Sequence, residues 1–171
     1  MRNSKRLWSM LFLVAALLLL TAAPATAHVT RTPFTGTEVW VEDLDPGTEI
    51  APPDSGLSKV RGAVSRFALE VSDPRVSGDD VATVNWNFKL VDEPVYVTGP
   101  MWGTFRITND GGYWKGVWAG YRDKRGYSYM EFVGTGGDGY AGLKLRLHIE
   151  RLNPDPTTVE TVTGYILERG H

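Results

Sequence analysis

Two groups of ionisable side chains and one set of aromatics are the parts of this 171-residue chain whose types and spacing bear on chemistry. Glu131 stands between Met130 and Phe132, so a strand there turns either the acid or its two apolar neighbours inward. A carboxyl enclosed by tryptophans has its pKa raised by loss of water and can act as an acid or anchor a ligand. His148 and Glu150 lie two residues apart and share a strand face with Lys144 and Arg146. A histidine beside a carboxylate is a general-base pattern; the competing reading is a solvated face opposite Leu143, Leu145, Leu147 and Ile149. Trp86, Phe105, Trp114, Trp118 and Phe132 are the candidate lining of a ligand cavity, against the alternative that they fill a small barrel solidly.

Other chemistries find no support. The run Gly134-Thr135-Gly136-Gly137-Asp138-Gly139 has a strand after it and no lysine, whereas a phosphate-cradling loop needs a helix and usually a Lys-Ser/Thr pair; a flexible hairpin loop is expected instead. The three histidines, His28, His148 and His171, show no metal-ligand spacing, and there is no cysteine, so neither a metal nor another cofactor is expected. A copper-chelating His28 at a processed N-terminus has no companion motif. The formal charge of −2, with 22% charged residues, lacks the basic face of a nucleic-acid binder.

The elements that must position these residues are strands. Short alternating segments are broken about every ten residues by Gly, Pro, Asp and Asn clusters. Strands are expected over residues 37–42, 61–71, 81–91, 101–108, 113–122, 127–133, 142–150 and 159–167, with long loops at 43–58 and 134–139. Eight strands joined mostly by hairpin-length turns predict an all-β fold, a single antiparallel eight-stranded β-barrel of calycin type, with a two-sheet sandwich as its rival.

Pairing arithmetic sharpens the interior. A four-residue turn at 109–112 sets Thr108 opposite Tyr113, Ile107 opposite Trp114, Phe105 opposite Gly116 and Gly103 opposite Trp118. Gly116 and Gly120 then leave gaps between rings, which favours a cavity over a filled core. At 123–126 a strict four-residue turn sends Glu131 inside, opposite Trp118. A three- or five-residue loop sends Met130 and Phe132 inside and Glu131 to solvent, the arrangement its apolar flanks favour.

The segments Trp114-Lys115-Gly116-Val117-Trp118-Ala119-Gly120, Gly134-Thr135-Gly136 and Tyr140-Ala141-Gly142-Leu143 together resemble the allene oxide cyclase and dirigent barrel superfamily, over roughly residues 100–168. The resemblance implies an eight-stranded barrel with an internal hydrophobic cavity, in a group that includes many small exported bacterial proteins. Plant members handle lipid-derived epoxides or guide phenoxy-radical coupling, and some bacterial relatives cyclise polyketides. None of their polar catalytic residues matches a position here, so no catalytic role is carried over.

The N-terminal 27 residues have the anatomy of a secretory signal peptide: Arg2, Lys5 and Arg6, an apolar run from Leu7 to Leu20, and Ala25-Thr26-Ala27 as the cleavage site. The apolar run falls short of the roughly 20 residues needed to span a bilayer. Cleavage leaves a domain over 28–171 with 15 basic and 20 acidic residues, net −5, expected to be secreted or periplasmic with no membrane attachment. The expected function is binding of a small hydrophobic or aromatic ligand inside the barrel. The alternatives are an isomerase or cyclase acting on a lipophilic substrate, with Glu131 as its acid, and a filled barrel acting as a structural or partner-binding module. That module would use Tyr113, Tyr121, Tyr127 and Tyr129 as its contact patch, for a partner or for a second copy in an oligomer.

Overall fold

Nine antiparallel strands, all in one sheet, make up the regular structure of the described residues. The computed structural model describes residues 28–91, 96–153, 155 and 158–170, and the leader expected over 1–27 lies outside them. The strands are β1 (Val29–Asp45), β2 (Thr48–Glu49), β3 (Leu57–Val71), β4 (Gly78–Val91), β5 (Tyr96–Asn109), β6 (Gly112–Arg122), β7 (Ser128–Asp138), β8 (Lys144–Arg151) and β9 (Glu160–Arg169). From β3 to β9 each strand pairs with the next, and β1 pairs with both β9 and β3, so eight strands form a closed, barrel-like ring. The two-residue β2 pairs only with β3, outside that ring.

Closure happens on β1. Its first half, from Val29 to Glu38, runs beside β9, and its second half, from Gly36 to Asp45, runs beside β3. Gly36, Thr37 and Glu38 therefore pair on both sides at once. A Cβ at Gly36 would stand 2.1 Å from the Glu70 carbonyl oxygen and 2.5 Å from Val71 Cα, so the crossing tolerates no side chain. The sequence suggested a strand of only six residues here. It extends to 17 because the ring supplies two partners to a segment whose local alternation is weak.

The hairpin between β5 and β6 has the register expected from a four-residue turn: Thr108 faces Tyr113, Ile107 faces Trp114 and Phe105 faces Gly116. The glycines do something other than leave gaps. A Cβ at Gly116 would lie 2.8 Å from the Phe105 ring and 1.9 Å from the Val133 carbonyl oxygen, and one at Gly120 would lie 2.7 Å from Met130 Cγ. They are sockets occupied by neighbouring side chains. Likewise the glycine run expected to be a loop continues as β7 through Asp138, with Gly137 leaving room for the Tyr113 ring.

One end of the ring is solid. Trp114 and Ile107 are fully buried there with Leu69, Leu145, Val162 and Ile166. Val76, from the β3–β4 connection, caps them and is also fully buried. The cap is tied down by polar groups: Trp114 Nε1 donates to the Arg75 carbonyl at 2.6 Å. Asn109 Nδ2 donates to the Ser77 carbonyl at 2.7 Å, and the Tyr140 hydroxyl donates to Asn109 Oδ1 at 2.7 Å. Tyr140 stacks on Trp114 with ring centroids 5.2 Å apart.

Gly36→Ala should lower stability by about 1–3 kcal/mol, the usual range for overpacking. Urea denaturation checks this: the midpoint should fall with little change in slope.

Candidate functional site

At the other end the ring is hollow. Strand alternation points Trp86 and Phe88 of β4, Met101 of β5, Trp118 of β6, and Met130 and Phe132 of β7 into a cavity of about 570 Å³. Such a volume falls within the range of small-molecule pockets. Trp86 stacks on Phe88 with centroids 5.7 Å apart, and Trp118 stacks on Phe132 at 5.6 Å. Both indole N–H groups are engaged at the wall, Trp86 with Ser58 Oγ at 3.0 Å and Trp118 with the Thr83 carbonyl at 3.2 Å. The aromatic faces that remain are an apolar lining of fixed orientation.

The same cavity meets a charged cluster. Glu38 of β1 and Glu160 of β9 are direct cross-strand partners, and both side chains are buried, at 3% and 2% exposure. Arg151 of β8 donates through Nε to Glu160 Oε1 at 2.6 Å, and its Nη2 reaches the same oxygen. Arg122 of β6 donates through Nε to Ser128 Oγ at 3.1 Å and lies 5.3 Å from the centre of the Phe88 ring. Glu38 Oε1 and Glu160 Oε2 have no hydrogen-bond partner among the described residues. Buried polar atoms are almost always partnered, by protein or by ordered water, so these oxygens are acceptor positions open to water or another polar group.

Electrostatics follows from the burial. Glu38 is pushed well above its ordinary 4.5 by desolvation first, then by the carboxyls of Asp80 and Glu160, against the pull of Arg151. Asp80, itself buried at 1% exposure with Oδ1 unpartnered, rises to about 7, also by desolvation. Glu160 is raised by burial, while Arg151 and Arg122 draw it back towards the ionised form. Burial and the proximity of Arg151 lower Arg122 to about 10, so it is still a cation at neutral pH. Burial thus favours the protonated form of Glu38, which stands beside an ion pair and a second guanidinium.

Of the residues singled out from the sequence, Trp86, Trp118 and Phe132 line this cavity. Phe105 and Trp114 are buried outside it; Phe105 packs edge-on against Phe132 at 5.3 Å, and Trp114 belongs to the solid end. Glu131 is on the outer surface, its side chain 72% exposed and paired across the strand with Ala119. The β6–β7 connection is the five-residue loop 123–127, which turns Met130 and Phe132 inward, so an enclosed catalytic Glu131 has no geometric basis. Outside the ring, His148 Nδ1 lies 2.6 Å from Glu131 and its Nε2 lies 2.9 Å from Glu150. These hydrogen bonds, that to Glu150 first, raise its pKa above the ordinary 6.5. With both ring nitrogens occupied and facing solvent, it serves as a surface clasp.

No family model, curated protein or solved structure matches this chain. The site therefore stands on its geometry. The sequence reading missed Glu38, Glu160, Arg122, Arg151 and Ser128, although parity reaches them all. Once Trp114 and Trp118 face inward, Arg122 does too; once Leu145, Leu147 and Ile149 do, so does Arg151.

Linkage sets the sign of the pH dependence. Unfolded Asp80 and Glu38 lose their protons near 3.8 and 4.5, while the folded forms hold them to about 7 for Asp80 and well above 4.5 for Glu38. Unfolding then releases protons, so these groups make stability fall as pH rises from about 5 to 7. Thermal melts across that interval should show the decline, and Asp80→Asn should flatten it. His148 acts later: its stabilisation is present below 6.5 and lost as pH rises through its raised value, and its exposure keeps it small.

Proposed function

We propose that this protein is an eight-stranded β-barrel that binds a small, largely apolar or aromatic molecule in its hollow end. The observation that carries the reading is the cavity of about 570 Å³, walled by Trp86, Trp118 and Phe132 and closed by a buried polar cluster with unpartnered oxygens. A solidly filled barrel acting only as a structural or partner-binding module would have no use for such space. The resemblance to the allene oxide cyclase and dirigent barrels, and the leader expected over residues 1–27, support an exported lipophile-binding protein.

A specific residue favours a second reading, an isomerase or cyclase. The Glu38 side chain is buried at the cavity wall and its pKa is raised by desolvation, which favours the protonated form that a carboxylic acid needs to protonate a substrate oxygen or carbon. In this reading Glu38 takes the acid role that the sequence suggested for Glu131.

Binding is tested with N-phenyl-1-naphthylamine, an uncharged aromatic probe. One molecule should bind per chain and quench tryptophan emission by energy transfer from Trp86 and Trp118. Val84→Trp, which places an indole in the lining, should weaken binding by about tenfold or more, the loss of roughly 1.4 kcal/mol. Binding undiminished in Val84→Trp would place the probe elsewhere and remove the cavity as the site. For the second reading, native mass spectrometry follows the mass of ligands captured from a lipid extract of the producing cells over hours. Wild-type protein should convert a captured species and Glu38→Gln should hold it unchanged; equal conversion by both would dismiss Glu38.

A further inference from the structure

We propose that the ligand is an amphiphilic acid, an aromatic or aliphatic body carrying one anionic oxygen group, and that the Arg122 guanidinium is its anchor. The inference rests on the reading of the cavity as a ligand site and names the chemistry of the head group.

The argument is one of charge and geometry. Five ionisable groups face one another at this end of the ring: Glu38, Asp80, Glu160, Arg122 and Arg151. Arg151 and Glu160 neutralise each other through the hydrogen bond at 2.6 Å. Arg122 has no carboxylate within ion-pair distance among the described residues. Its Nε is used on Ser128 Oγ, and its Cζ lies over the Phe88 ring, 5.3 Å from the centroid. The terminal nitrogens are the donors left over, on a side chain that lines the cavity.

Glu38 completes the pocket. Its Oε1 has no partner among the described residues, and burial raises its pKa, which favours the protonated form whose O–H is a donor. The lining holds two guanidiniums, Arg122 and Arg151, and three carboxyls: Glu160 is spent on Arg151, Asp43 Oδ1 accepts from Trp40 Nε1 and Ser65 Oγ, and burial disfavours the charged form of Glu38, which leaves Arg122 as the cation without a carboxylate among the described residues. A buried charge without a partner is costly, and a planar guanidinium fork is suited to an oxyanion. A guest whose apolar body lies among Trp86, Trp118 and Phe132 while its anion meets Arg122 satisfies both halves of the lining.

The test compares two probes that share one skeleton: N-phenyl-1-naphthylamine, uncharged, and 8-anilinonaphthalene-1-sulfonate, which adds one anionic group. Fluorescence titration of the purified protein should give at least about tenfold tighter binding of the sulfonate, the scale of a charge-assisted hydrogen bond. Arg122→Gln should remove that preference by weakening the sulfonate, and Arg122→Lys should restore part of it. Circular dichroism reports that the variants are folded. If wild type binds both probes equally, or the uncharged one better, the anion inference fails while the cavity reading stands. If neither probe binds, or Val84→Trp leaves both unchanged, the cavity reading itself fails. If Arg122→Gln loses both probes equally while its circular dichroism is unchanged, Arg122 shapes the cavity without gripping an anion, and the inference is again overturned.

Discussion

A closed ring of antiparallel strands gives every side chain two destinations, and here the choice is fixed where β1 passes from β9 to β3. Gly36, Thr37 and Glu38 are paired on both flanks, so this strand cannot slip by a residue without breaking two ladders. With Phe34 committed to the interior at 3% exposure, parity carries Glu38 inside as well and leaves Val39 on the surface. Glu160 follows from the other side, opposite Glu38 and in phase with Val162 and Ile166. The interior charges are thus a consequence of closure and register, not of local hydrophobicity. Once inside, they must find partners or remain a cost.

The two ends of the ring answer that demand differently. At the solid end, the indole of Trp114, the amide of Asn109 and the hydroxyl of Tyr140 are all satisfied within the protein, under the Val76 cap. At the hollow end, Glu38 Oε1, Glu160 Oε2 and the nearby Asp80 Oδ1 are not. A buried polar atom left without a partner costs about 1–3 kcal/mol. The dense aromatic and aliphatic packing at one end is what lets the fold carry that cost at the other. Dense packing and the cavity are divided along the axis of the same strands, which is why Trp114 and Trp118, four residues apart on one strand, belong to different ends.

Much of this was legible in the sequence, and the misses have physical causes. The Asn109–Gly112 turn fixed the β5–β6 register because Asn-Asp-Gly-Gly admits few geometries, and with it the inward faces of Phe105, Ile107, Trp114 and Trp118. Glycines read as gaps turned out to be sockets, since a missing Cβ says that something approaches closely without saying what. The charged cluster escaped because the valines flanking the two acids attract attention to the wrong face. Val39 and Val159 are exposed while Glu38 and Glu160 are buried. The apolar alternation on β6 and β8 stops at Trp118 and Ile149; one or two further steps of two residues reach Arg122 and Arg151.

The contrast between Glu131 and Glu38 shows how small a local feature decides which carboxyl is available for chemistry. Asp123 Oδ1 accepts from the backbone N–H groups of Arg125 and Tyr127 at 2.8 and 3.1 Å, and the Asp123 N–H donates to the Tyr127 carbonyl at 2.8 Å. Gly126, at a φ of +84°, takes the left-handed turn position that this closure needs. Together these bonds set the loop at five residues, and Arg122 pairs with Ser128. A loop one residue shorter would reverse β7, driving Glu131 among the tryptophans and removing Met130 and Phe132 from the cavity wall. It would also withdraw Ser128 from Arg122, freeing a guanidinium that its hydroxyl now holds at 3.1 Å. One aspartate at a surface turn therefore separates a solvated carboxylate clasped to His148 from a desolvated acid on the opposite wall of the ring. It also keeps Arg122, which pairs with no carboxylate among the described residues, on the cavity wall.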